Sequence, residues 1–165
     1  MGLGVGTSGM SRPAPERRDT EALFAEVRAV YAELEERPIE RFCEGRTDCC
    51  RFKLTGQTPY LTRGEAYVAA RAYRSMGKGE IPVKKDGSCP MLVEGTAKCQ
   101  IYEDRPFACR THFCEAAGGP YARRDVVDLI RRLEAVDEKW DGRGPQKIEV
   151  AIGYALRNLP RSANR

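Results

Sequence analysis

A chain of 165 residues with 41% hydrophobic content suits one globular domain with a single modest core, and leaves no room for a second full catalytic domain. Its net charge of +4 comes from 28 basic and 24 acidic residues, a mixed surface rather than a basic block, which argues against nucleic-acid and membrane binding. No apolar run approaches the length of a membrane span.

The opening residues, Met1-Gly2-Leu3-Gly4-Val5-Gly6-Thr7-Ser8-Gly9, lack the charged start, apolar stretch and cleavage pattern of a secretory signal, so a cytoplasmic location is expected. Gly6 stands where a myristoylation motif wants Ser or Thr. Glycine, proline and arginine predict a flexible tail over 1–18, followed by a single helical domain over 19–165.

Leu23, Phe24, Val27, Val30, Tyr31 and Leu34 recur at three- and four-residue spacing, which predicts a helix capped by Asp19 or Thr20 and ending near Pro38. Thr62-Arg63-Gly64-Glu65 is a capping box that opens a second helix, with Ala66, Ala69, Ala70, Tyr73 and Met76 on one face and Gly77 and Gly79 at its end. Val126, Leu129, Ile130, Leu133, Val136 and Trp140 predict a third, stopped by Asp141-Gly142. Ile148, Ala151, Ile152, Ala155, Leu156 and Leu159 predict a fourth, bounded by Pro145 and Pro160. The expected fold is mainly α: about four helices beside an irregular cysteine-rich loop region, 42–114. Residues 84–120 show no sustained periodicity, and an irregular stretch of that length is uncommon in a compact domain unless something staples it.

All seven cysteines fall in that region: Cys43, Cys49, Cys50, Cys89, Cys99, Cys109 and Cys114. Inert buried thiols would scatter with the rest of the core, whereas ligands or disulfide partners must converge. Disulfides, and with them a disulfide-stabilised binding module, are disfavoured by the odd count and the expected reducing compartment. Metal ligation is the favoured reading. A thiolate set selects zinc or an iron-sulfur cluster over oxygen-loving ions, and the spacing leaves these two open.

The residues then carry a resemblance. Phe42-Cys43, Asp48-Cys49-Cys50, Leu61-Thr62-x2-Glu65, Cys89-Pro90-Met91-Leu92, Cys99-Gln100-Ile101-Tyr102-x2-Arg105-Pro106 and Cys109-Arg110 together resemble the YkgJ-type cysteine-cluster family. That family is described as zinc- or iron-chelating and includes the cysteine-rich part of flagellin lysine N-methylase. The resemblance implies Cys43, Cys49, Cys50, Cys89, Cys99 and Cys109 as ligands. It also marks a departure: the family's first cluster runs Cys-x2-Cys-x2-Cys-Cys, and Arg46 stands at its second cysteine. Cys114 is added as a substitute on chemistry alone.

Arg51, Arg105 and Arg110, each close in sequence to a cysteine, are candidates to offset thiolate charge. Pro106 should hold Arg105 extended and so brace the turn that delivers Cys109. His112, the only histidine, lies within reach of any centre formed there, although a structural or surface role is its default. The carboxylates Asp86, Glu94, Glu103 and Asp104 read as loop surface. No glycine-rich nucleotide loop follows a predicted strand. The leading expectation is therefore a small cytosolic metal-binding protein whose cysteine cluster chelates zinc or an iron-sulfur cluster. The alternative is a protein-modifying (lysine N-methylase-like) or redox enzyme using that centre; the sequence names no substrate and no protein partner.

Overall fold

The computed structural model describes residues 17–43 and 45–161. Nearly all of the expected tail lies outside the described residues. The elements in chain order are α1 (Arg17–Glu35), α2 (Phe52–Thr55), β1 (Tyr60–Leu61), α3 (Arg63–Ser75), α4 (Phe107–Thr111), α5 (Arg123–Lys139), β2 (Gln146–Lys147) and α6 (Ile148–Asn158). Four of the helices have seven residues or more, and they are the four that the apolar spacing predicts.

Two boundaries differ from expectation. α1 begins at Arg17, so Asp19 lies in its first turn, where a carboxylate suits the positive end of the helix dipole, and Thr20 is buried instead of capping. α3 stops at Ser75, which leaves Met76 as an exposed C-cap rather than a core residue. The start of α3 is as the sequence requires. The Thr62 side chain accepts from the Glu65 N–H, and the Glu65 carboxylate accepts from the Thr62 N–H at 2.9 Å.

The bundle is organised around α3, which packs on α1, α5 and α6, while α1 also packs on α5. Leu23, Phe24, Val27, Val68, Ala69, Leu129, Leu133, Ile148 and Ile152 are buried in one continuous cluster. Full burial of a side chain the size of Leu or Phe contributes about 1.5–3 kcal/mol. A Cβ on Gly64 would lie 2.8 Å from Val27 Cγ2, so α1 approaches the first turn of α3 more closely than a larger residue would permit. Ion pairs of Arg37 with Asp128 and of Lys139 with Glu26 run along the exposed rim between α1 and α5. Such pairs contribute little each.

The two short strands are not evident in the sequence. They pair antiparallel, Tyr60 with Lys147 and Leu61 with Gln146, and Ile148 N–H donates to the Pro59 carbonyl at 3.0 Å. This ladder fixes the segment entering α3 against the start of α6. It thereby closes one side of the cysteine-bearing loops.

Candidate metal centre

Each cysteine is delivered by a short, locally determined piece of backbone. Cys49 and Cys50 end a 3-10 turn, Asp48–Cys50, entered through Thr47 in the left-handed region at φ 58°. Cys89 N–H donates to the Cys50 carbonyl at 2.7 Å, which joins the first loop to the second. A narrow hairpin follows: Leu92 bridges Cys99, and Gln100 N–H donates to the Met91 carbonyl at 2.9 Å. Arg105 is extended, at φ −62° and ψ 145°, as its position before Pro106 demands, and α4 then presents Cys109.

Cys114 follows α4, and its carbonyl accepts from Ala117 and Gly119 N–H in a tight turn. The chain on the other side of that turn is tied to the segment before Cys43. Arg41 donates to the Gly119 carbonyl at 2.8 Å and lies over the Tyr121 ring, which itself stacks on Phe113.

These loops bring all seven cysteines to the wall of one cavity of about 100 Å³. Cys89 is buried, Cys43 is exposed, and the other five are half-buried, all seven as free thiols. Among the described residues, no three His, Cys, Asp or Glu side chains are already gathered closely enough to hold a metal ion. The thiols share a cavity without closing on a point. A cysteine sulfur has three staggered positions about χ1, so donors on a common wall can be redirected inward with the backbone in place.

Electrostatics distinguish an inner group. A hydrogen bond from Cys50 lowers the Cys49 thiol to about 7 against the opposing effect of burial, and the same bond, with burial, drives Cys50 far upward. Burial pushes Cys89 up to about 12 and raises Cys99, which the Arg105 guanidinium partly offsets. Cys109 is raised well above the ordinary thiol range by burial, with the charges of Cys89, Cys99 and Cys49 adding to the effect. Five thiols therefore act on one another, and their common ionisation is opposed by burial and mutual repulsion. A bound divalent cation reverses that balance, because a coordinating thiol is deprotonated. The donor set thus fits a soft metal centre in its chemistry.

The neighbouring residues separate into two groups. Arg105 and His112 line the cavity, and His112, Cys49 and Cys109 also face an adjoining cavity of about 210 Å³ lined by Thr55, Gln57, Thr58 and Tyr60. Arg46, in place of the family cysteine, lines the thiol cavity and pairs with Asp48 at 3.4 Å. Arg51 is exposed and outside the wall. Arg110 is also turned away: it donates to Glu35 at 2.7 Å and to the carbonyls of Arg105 and Glu103, and it covers the Tyr31 ring. Its expected part in offsetting thiolate charge is replaced by a structural one, the clamping of α4 to α1. Asp86 bonds Ser88, and Asp104 pairs with Arg28, both away from the cavity.

Glu65 has a role that its capping signature conceals. Its carboxylate accepts from Thr62 N–H and Oγ1 and, across 42 residues of sequence, from Phe107 N–H at 2.8 Å. The N-terminus of α3 and the N-terminus of the cysteine-bearing α4 are therefore fastened to one buried side chain.

A cysteine-lined cavity held in loops against a helical bundle defines a class of thiolate-rich chelating domains. The chain belongs to the CxxCxxCC family, described as a "putative zinc- or iron-chelating domain", whose model matches residues 42–132. The match runs beyond Cys114 into α5, further than the sequence motifs alone reach. No curated protein and no solved structure matches the chain.

Proposed function

We propose that the chain is a small cytosolic metal-binding protein in which Cys49, Cys50, Cys89, Cys99 and Cys109 form the inner donor set for zinc or an iron-sulfur cluster. Cys43 and Cys114 are the further donors at the edge of the same cavity. The observation that carries this reading is the convergence of all seven thiols on one cavity from separate loops. Bound there, the metal supplies cross-linking of segments with little periodic structure of their own, and so contributes directly to their folding. The chain's own residues orient the donors: Pro106 and Glu65 set α4, the Cys50–Cys89 backbone bond joins two loops, and Arg105 tempers the negative charge.

A second reading, a protein-modifying or redox enzyme using the same centre, is favoured by one observation. His112, Cys49 and Cys109 are shared between the thiol cavity and the adjoining one, so a ligand there would lie beside the donors.

Anaerobic purification followed by iron, acid-labile sulfide and zinc analysis tests the principal reading. Brown colour with sulfide identifies a cluster, and stoichiometric zinc without sulfide identifies a zinc site. Absence of both after anaerobic reconstitution refutes metal binding. Cys109→Ser should reduce metal content and His112→Ala should reduce it less; equal, complete loss in both would reverse their ranking.

A further inference from the structure

Cys49 and Cys50 are neighbours in sequence whose side chains also meet: the Cys50 thiol donates a hydrogen bond to the Cys49 sulfur. Three backbone bonds fix the turn that carries them, from Cys50 N–H to the Thr47 carbonyl at 2.9 Å, from Arg51 N–H to the Asp48 carbonyl at 3.0 Å, and from Cys89 N–H to the Cys50 carbonyl at 2.7 Å. The pair is therefore set before any ligand arrives, which lowers the ordering cost of using two thiols at once.

Both thiols line the cavity of about 100 Å³, and Cys49 also faces the adjoining cavity of about 210 Å³. Much of the wall around them is apolar, formed by Phe52, Met91, Ile101, Phe113 and Ile148. Among the described residues, no three His, Cys, Asp or Glu side chains are gathered closely enough to hold one ion. The free chain thus offers two soft donors already paired, beside apolar side chains, with no third donor in place.

We propose that the Cys49–Cys50 pair binds trivalent monoorganic arsenicals, RAs(OH)2, with both sulfurs on arsenic and the organic group along the apolar wall. Two S–H and two As–O bonds break, two As–S bonds form, two waters leave, and arsenic stays trivalent. The product carries no charge, so apolar surroundings suit it. Inorganic arsenite is the poorer match, because it completes its coordination with three thiols and the free chain presents two. This assignment goes beyond the metal reading and is measured on the metal-free chain, so the failure of one does not imply the failure of the other.

The test is titration of the reduced, metal-free full chain with phenylarsine oxide, which hydrates to the dihydroxide, and separately with arsenite. Intact mass reads the adduct, and trypsin locates it, because cuts after Arg46 and Arg51 isolate both cysteines on the peptide 47–51. At one equivalent, a single phenylarsenic unit should replace two hydrogens on that peptide. Arsenite, and phenylarsine oxide with the urea-unfolded chain, should each bind at least about tenfold more weakly. Cys49→Ser and Cys50→Ser should each weaken phenylarsine oxide binding at least about 100-fold, since the second As–S bond gains from being intramolecular. Arsenic located on another peptide, arsenite or unfolded chain equal to the expected complex, or undiminished binding by either variant would each overturn the assignment.

Discussion

Replacing Glu65 by alanine tests whether one buried carboxylate joins the helical bundle to the cysteine loops. The side chain is 3% exposed and accepts from Thr62 N–H at 2.9 Å, Thr62 Oγ1 at 2.8 Å, Phe107 N–H at 2.8 Å and Tyr31 Oη at 3.4 Å. Alanine leaves two buried backbone donors unpaired, at about 1–3 kcal/mol each, and opens a cavity. Against this, removal of the carboxylate recovers the desolvation cost that raises its pKa despite four donors. The expected net loss is about 2–4 kcal/mol, a large part of a typical total of about 5–15 kcal/mol. Urea unfolding of the demetallated chain gives the value without interference from metal affinity. Glu65→Gln, which keeps shape and loses charge, should cost about 1–2 kcal/mol. It should also change the pH dependence. Because burial raises the folded-state pKa above the unfolded one, the folded state holds more protons between the two values, and stability falls as pH rises through that window. Glu65→Gln should remove this fall. A loss below about 0.5 kcal/mol in Glu65→Ala, the scale of a neutral surface change, would refute the proposed linkage.

Three further outcomes follow from particular contacts. Arg110→Met should destabilise by about 2–3 kcal/mol in urea unfolding, chiefly by leaving the carbonyls of Arg105 and Glu103 unpaired, since Glu35 is largely exposed and its ion pair contributes little. Gly142→Ala would place a Cβ 2.0 Å from the Asp137 carboxyl carbon, disturbing the bonds that carboxylate accepts from Arg63 N–H and Gly144 N–H. It should lower stability by about 1–3 kcal/mol in the same assay. Arg46→Cys exchanges a cavity-lining cation for a thiol between Cys43 and Cys49; chelator competition should show tighter metal retention, and retention unchanged or weakened would count against Arg46 as the missing family donor.

The long helices were legible because their information is local. The Thr62 box, the apolar stripe from Leu23 to Leu34 and the prolines around α6 each act over a few residues, and the backbone forms what they encode. The β1–β2 ladder was not, because two-residue strands carry no periodicity, and their pairing joins Tyr60 to Lys147 across most of the chain. Arg110 shows the same limit within the candidate site. Its neighbour in sequence is a cysteine, but on a helical turn adjacent residues point about 100° apart, and the side chain finds Glu35 and Tyr31 instead.

Glu65 carries this distinction furthest. Its sequence signature, Thr-x2-Glu, accounts for one carboxylate oxygen bonded to Thr62, whereas the other oxygen accepts from Phe107, a partner that no local pattern contains. The irregular loops are held by defined hydrogen bonds: to the buried Glu65 carboxylate under α4, to the Pro59 carbonyl at the start of α6 and to the Cys50 carbonyl beneath Cys89. Those anchors position the segments, so that Cys89 within the core and Cys50 and Cys99 packed against it also line the cavity. Free thiols facing a common cavity are what a chelating centre requires, and a regular helix or strand would aim successive cysteines in fixed, divergent directions. Irregular backbone anchored at its ends is therefore the physical condition for seven cysteines to reach one cavity.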